Sequence, residues 1–348
     1  MNDSKGPPRK RRGAGRVTLE TVARQVGVST MTVSRYFNQP EQVSPEHRER
    51  IGAAVAALGY VPNLVAGGLA SARGRIVGMV VPNISGPIFA STLQGFSDTL
   101  SQHGYQLLLA SSYFCAEQEE SAVRAFLGWS PAALVVTSHF HSPATEKMLA
   151  DADIPLVEVW DYQPERAPVQ IGFSHYEVGV TAARYLQGKG YRRIAFVQNS
   201  VAGDFSALER RDGCAATLAE LGQTLVTYAP DAGLAPFEAG KQAMLALMGA
   251  VQPPDAIFFA NDNLAAGALL AGQRAGLRIP QDCAVLGFGD YPFAHMLLPS
   301  LSTIKPPALD IGVLAATRLL QSLGVLPLDG ELQRLNLLEC ELVEREST

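Results

Sequence analysis

Apolar positions along this chain fall into two regimes. From Thr18 to about Tyr60 they recur at three- and four-residue steps, the period of helices that bury one face. Leu19, Val22, Ala23 and Val26 mark a first helix with Thr18 as its cap, and Gly27 ends it where a tight turn calls for positive φ. Ser29 caps a second helix whose Val33 and Phe37 face inward. A third runs from Pro45 to Leu58, with Ser44 as cap, Pro45 at its first position and Gly59 at its end. Beyond Arg75 the rhythm changes. "RIVGMVVP", "YQLLLAS", "ALVVTS", "PLVEVW", "RRIAFVQ", "DAIFFA" and "CAVLGFG" are short apolar runs without alternation, as in strands covered on both faces. Amphipathic stretches separate most of them: Phe89 to His103, Glu117 to Leu127, Tyr176 to Gln187, Ala207 to Leu221, Phe237 to Met248 and Asn263 to Arg274. The expected fold is therefore α/β, an all-α head followed by a body too long for one sheet and built as two doubly wound parallel halves. Ligands in such folds sit at the carboxyl ends of the strands, here in the cleft between halves.

Charge sharpens the division. The net charge of −5 over 348 residues conceals 12 Lys and Arg against 5 Asp and Glu through Arg75, and 16 against 28 thereafter. A basic head on an acidic body suggests that the head meets a polyanion. Residues 1–16, "MNDSKGPPRKRRGAGR", lack periodic apolar positions and read as a disordered basic arm. With 47% hydrophobic residues the cores are ample, and no apolar run approaches the roughly 18 residues that span a bilayer. The charged N-terminus, with no apolar segment after it, argues against secretion. Cys115, Cys214, Cys283 and Cys340 are scattered, without CxxC or Cys/His spacing, and read as reduced thiols of a cytoplasmic protein with no metal site. His139 and His141 in "SHFHS" receive no role. No phosphate loop, nucleophile elbow, H-E-x-x-H or G-x-G-x-x-G is present, so neither an enzyme nor a cofactor is expected. A transport-associated binding protein on the same fold would leave the basic head unexplained.

"VSTMTVSRYFN", residues 28–38, gives the head its chemistry. Two short helices around a glycine turn, with small polar residues opening the second, match a helix-turn-helix. The second helix enters the major groove and offers its first residues to base edges. Bulky residues there would block approach; Ser and Thr bond phosphates or bases, and Arg35 can reach a guanine bidentately.

"VTLETVARQVGVSTMTVSRYFN" followed by "VSPEHRERIGAAVAALGYVPN" resembles the DNA-binding head of the LacI/GalR family, meeting each position of its T-x-x-x-V-A-x-x-x-G-V-S-x-x-T-V-S-R pattern. The resemblance continues through "VVPNISGPIFASTLQGF", "FFANDNLAAGAL" and "VLGFGDYPF" to the end of the chain. "MTVSRYFNQPEQVS", "GYVPN", Trp129 and "GFGD" are most similar to the branch that regulates gluconate operons. The resemblance implies a head at 17–61, a hinge at 62–74, and a body at 75–345 of the periplasmic sugar-binding type. One subdomain would comprise 75–172 and 301–330, the other 173–300 and 331–345.

It further implies that Thr30, Met31 and Arg35 meet base edges, that Thr18, Ser29, Thr32, Ser34 and Asn38 bind chiefly phosphates, and that Asn63 also contacts DNA. Leu69 would wedge into the minor groove from a hinge that is helical only on DNA; Gly67 and Gly68 weaken that helix off DNA. In the body, Arg210 and Asp262 would grip the effector, an Arg fork suiting a carboxylate and an Asp suiting vicinal hydroxyls. Ile88, Phe89, Trp160, Asp161 and Asp290 complete the expected effector set. Gly289 stands where the family carries Asp, and Ser174 and His175 stand where an Asp-Asn pair is common, which makes the cleft less acidic and favours an anionic effector. The expectation is a homodimeric repressor on a near-palindromic operator, released by gluconate, 6-phosphogluconate or 2-ketogluconate. A neutral sugar as effector, or one that tightens DNA binding, fits the same family.

Overall fold

The computed structural model describes residues 17–62, 74–166, 168–328 and 330–348. The basic arm, Asn63, Leu69 and the hinge glycines fall outside them. The chain divides into two compact units, Met1–Gly74 and Arg75–Thr348.

The first unit holds three helices, α1 (Leu19–Val26), α2 (Thr30–Asn38) and α3 (Pro45–Leu58). Thr18 caps α1 by accepting the Thr21 amide at 3.2 Å, and Ser29 caps α2 by accepting that of Thr32 at 3.1 Å. Gly27 between them sits at φ +73°, a left-handed turn that costs other residues strain. Val22, Ala23, Val26, Val33, Val43, Ile51, Ala54 and Tyr60 form a small core, with Val28 and Phe37 packed partly against it. Burying these positions is what sets α2 across α1 and turns its polar face outward.

The second unit has two six-stranded sheets. Lobe one runs in the order β11-β5-β4-β3-β1-β2, entirely parallel, from β1 (Ile76–Val81), β2 (Gln106–Ser111), β3 (Ala133–Thr137), β4 (Leu156–Val159), β5 (Val169–Gly172) and β11 (Leu335–Leu337). Lobe two runs β12-β10-β9-β8-β6-β7, from β6 (Ile194–Val197), β7 (Val226–Tyr228), β8 (Ala256–Phe259), β9 (Ala284–Phe288), β10 (Ser302–Lys305) and β12 (Glu341–Val343). Only β12 is antiparallel, an edge strand beside β10. The seven apolar runs are β1, β2, β3, β4, β6, β8 and β9; most are buried along their length, the signature of strands covered on both faces.

The lobes trade segments later than expected. The chain crosses between β5 and α7 (His175–Gly188), between β10 and α11 (Ala308–Ser322), and between β11 and β12. Residues 302–305 belong to the second sheet, because buried Ser302, Thr303 and Ile304 pair with β9. Residues 335–337 return to the first, where they pair with β5. The expected boundaries at 301 and 331 therefore move.

Helices pack in pairs held close by reciprocal glycines. A Cβ on Gly179 of α7 would stand 2.0 Å from the Arg210 carbonyl of α8 (Phe205–Glu220), and one on Gly213 of α8 would stand 2.0 Å from the Tyr176 carbonyl. Gly240 and Gly267 join α9 (Pro236–Met248) to α10 (Asp262–Arg274) in the same way. In lobe one, Gly95 and Gly312 join α4 (Pro87–Gln102) to α11. Each pair brings backbones to a distance that any side chain would prevent.

Candidate functional site

On the head unit, α2 presents a polar face. Ser29, Thr30, Met31, Arg35 and Asn38 are exposed, with Thr18 exposed at the start of α1; Thr32 and Ser34 are half-buried. Met31 is 62% exposed, which for so large an apolar side chain marks a contact surface rather than a core position. Arg35 makes no ion pair among the described residues. Ser29 and Thr32 share a hydroxyl contact at 2.9 Å, and the Asn38 amide donates to the Ser34 carbonyl at 3.0 Å. These bonds hold the helix ends and leave Thr30, Met31 and Arg35 as its free face.

In the body, strand ends from both lobes enclose a cavity of about 200 Å³, which suits a small metabolite. Ile88 and Phe89, at the start of α4, line it, and so do Trp160 and Arg210. Trp160 follows β4 at φ +69°, a strained conformation for a bulky residue. Its ring packs 5.1 Å from that of Phe89, and its Nε1 donates to Thr92 Oγ at 3.1 Å.

Arg210 is 4% exposed. Its Nη1 donates to His175 Nδ1 at 2.9 Å, its Nη2 donates to the Ala260 carbonyl at 3.0 Å, and its guanidinium lies 4.1 Å over the Phe288 ring. Nε has no partner among the described residues, and Asp204 and Glu209 favour the charge only through space. Burial lowers its pKa, yet a guanidinium stays charged in protein. His175 is the residue sequence reasoning left out. Fully buried at the first turn of α7, it donates from Nε2 to the Trp160 carbonyl at 2.9 Å and accepts from Arg210. Burial, then the Arg210 charge, pushes its pKa down to about 3, so it is neutral and adds no second charge. The signal was available, since His175 departs from the family pattern three residues after β5.

Three expected effector residues lie elsewhere. Asp262 is 0% exposed and absent from the cavity wall: it accepts from the Tyr291 amide at 2.8 Å and from Thr303 Oγ at 2.7 Å. Burial raises its pKa to about 6. It ties β10 to the segment after β9, and the cap of α10 is its neighbour Asn261, which accepts the Leu264 amide. Asp161 is buried behind the wall, held by His139, whose ring Nδ1 meets its carboxylate, and by the Tyr162 amide at 2.7 Å. His139, given no role from sequence, thus has this structural one. Asp290 pairs with Arg345 at 2.6 Å and lies off the cavity wall. In all three cases a carboxylate at a strand end found partners in its own lobe, which sequence spacing cannot reveal.

Gly289, the departure from Asp, has φ +132°, and a Cβ there would strike the Tyr291 ring at 2.4 Å. Glycine lets that ring fold back to line the cavity. Other lining residues that sequence reasoning missed include Glu119, Phe140, Asp204 and Phe205.

The two units match two family models: residues 18–63 that of bacterial regulatory proteins of the lacI family, and residues 183–348 that of a periplasmic binding protein-like domain. The HTH-type transcriptional regulator GntR of Escherichia coli is 32% identical, covering 88% of this chain and 91% of the relative. The chain belongs to the LacI family. Its function class follows: it is a DNA-binding transcriptional regulator, not an enzyme. A solved LacI-family regulator from Silicibacter pomeroyi superimposes with a TM-score of 0.88 at 30% identity, over 95% of this chain and 99% of that one. The lac repressor dimer bound to operator and the anti-inducer ONPF gives 0.81 at 26% identity, over 95% and 99%. Like these LacI-family proteins, the chain joins a three-helix head to a two-lobed body, and among its described residues no helix is long and apolar enough to cross a membrane.

Proposed function

We propose that this LacI-family regulator is a homodimeric repressor of genes for uptake or breakdown of a sugar acid, released from a near-palindromic operator by gluconate or a related acid. The observation that carries the reading is Arg210: a buried guanidinium on the cavity wall that makes no contact ion pair among the described residues, Asp204 and Glu209 acting on it only from a distance. A buried cation without a carboxylate in contact is costly, and a ligand carboxylate relieves that cost. Neutral His175 keeps the charge in place and orients it, and Asn83, Ser112, Asn199 and Asp204 around the wall suit hydroxyls. The aromatic rings of Phe89 and Phe140 suit the C–H face of a polyol. Similarity to GntR supports the same effector class.

In the head, Thr30, Met31 and Arg35 read base edges, with Thr18, Ser29, Thr32, Ser34 and Asn38 along the phosphates; Asn63 and Leu69 complete the contact from the hinge. Effector binding shifts the lobes and disfavours the hinge conformation that grips DNA. Calorimetric titration with gluconate, 2-ketogluconate and glucose tests the effector. A sugar acid binds and glucose does not; Arg210→Ala removes that binding while operator affinity without effector is kept. An Arg210→Ala protein that still binds the acid with unchanged affinity would falsify the carboxylate assignment.

A further inference from the structure

The sugar-acid reading accounts for one end of the ligand. The other end meets a cavity wall with its own electrostatics. Three charged side chains line the cavity: Arg210 and Asp204 from lobe two, and Glu119, the only one from lobe one among the described residues. Glu119 stands in the first turn of α5 (Ala116–Gly128) and is 7% exposed. His141, whose side chain is fully buried, donates from Nδ1 to Glu119 Oε2 at 2.9 Å. The imidazole's Nε2 makes no hydrogen bond among the described residues; the nearest carboxylate oxygen, of buried Glu158, lies 4.0 Å away and is clamped by Arg166 and Gln170. Glu119 Oε1 takes no hydrogen bond within the described residues, and no Lys or Arg comes within 4.0 Å of the carboxylate.

We infer that Glu119 reads the hydroxylated end of the effector and restricts it to an unphosphorylated sugar acid, one carrying a single negative charge. A carboxylate with a free oxygen accepts hydroxyl hydrogens and has none to give, so it holds a polyol and repels a phosphate. Asp204 on the facing lobe has the same sign, and one guanidinium serves one carboxylate. The amino end of α4 also borders the cavity, with Gly86 as an N-cap that makes no side-chain bond. So do those of α5, α8 and α10, with Asp204 capping α8; such partial charges fall off within a turn, whereas Glu119 brings a full charge with no cation beside it among the described residues. Glu119 is thus a specificity-determining residue, and His141 positions it.

The inference rests on the sugar-acid reading, and one experiment separates the two. The full chain is titrated calorimetrically with gluconate and with 6-phosphogluconate. Gluconate binds, and 6-phosphogluconate binds at least about 100-fold more weakly, the scale of an uncompensated like-charge contact. Glu119→Gln brings the two acids within about tenfold, and Glu119→Asp, which keeps the charge, retains the discrimination. Equal affinity of the unaltered protein for both acids overturns the inference and leaves the sugar-acid reading standing. Binding of neither acid removes that reading and this inference together. Discrimination that survives intact in a folded Glu119→Gln protein, as thermal unfolding verifies, overturns the role of Glu119. Where that variant unfolds, His141→Gln, which loosens the carboxylate without removing it, takes its place and narrows the ratio.

Discussion

Arg210 and Asp262 both occupy positions that the family resemblance marks for the effector, and the fold treats them oppositely. Arg210 enters the cavity wall because the close approach of Gly179 draws α8 against α7 and brings its guanidinium to His175. Asp262 is consumed by Thr303 and the Tyr291 amide. Asp262→Ala should therefore act first on stability, lowering the unfolding midpoint of the body. Its effect on effector affinity, read calorimetrically, should be secondary to that of Arg210→Ala. His175 makes a pH prediction. Its folded pKa of about 3 lies below the 6.5 of a free imidazole. As the pH falls below 6.5 the unfolded chain takes up a proton that the folded chain refuses, so this group's contribution to stability is lost progressively toward pH 3. Urea midpoints of wild type and His175→Gln between pH 7 and 4.5 check this: the wild type loses ground to the variant as the pH drops, and a gap independent of pH rejects a neutral buried imidazole. On the head, Arg35→Ala should cost about 1–3 kcal/mol of operator binding, measured against non-specific DNA, with effector affinity unchanged.

Helices set the accuracy of both surfaces. The head's turn depends on Gly27 at φ +73°, where an L-residue pays about 1–2 kcal/mol; Gly27→Ala should lower the stability of the head by that amount in denaturant unfolding and weaken operator binding with it. The three reciprocal glycine pairs do the corresponding work in the body. Gly179→Ala would drive a methyl against the Arg210 carbonyl at 2.0 Å, so α8 must move or tilt. We expect weaker effector binding together with a lower unfolding temperature, whereas Gly188→Ala, on the same helix with nothing within 4 Å, leaves binding unchanged. Equal behaviour of the two variants would show that the close approach does not position the guanidinium.

At the scale of the molecule, an exchange of segments makes the body one compact unit: the chain passes between lobes three times, and the first passage ends at His175 on the cavity wall. Movement of one lobe is thereby felt at the wall that holds Arg210. If effector and operator favour different arrangements, linkage requires each to weaken the other by the same factor. Measuring effector affinity with and without saturating operator, and operator affinity with and without saturating effector, should return one coupling factor.

Local physics was enough to read much of this from sequence. Apolar periods of 3.6 placed α1 to α3, and unbroken apolar runs placed seven strands, because burial of a face or of a whole strand writes itself into consecutive residues. Thr18, Ser29 and Ser44 declared their helix starts, since a cap is a contact over three residues. The short strands β5, β7, β10, β11 and β12 left little pattern; β11 and β12 are three-residue edges whose pairing lies in distant segments. The cavity was decided by tertiary structure. Whether Asp161, Asp262 and Asp290 met ligand or protein depended on Tyr162, Thr303 and Arg345; Thr303 and Arg345 lie tens of residues along the chain. The same holds for Glu119, an unremarked member of an acidic helix start until the fold set it on the cavity wall with His141 behind it. Sequence records what a residue needs from its near neighbours; a carboxylate's charge is settled by whichever distant donor the packing delivers.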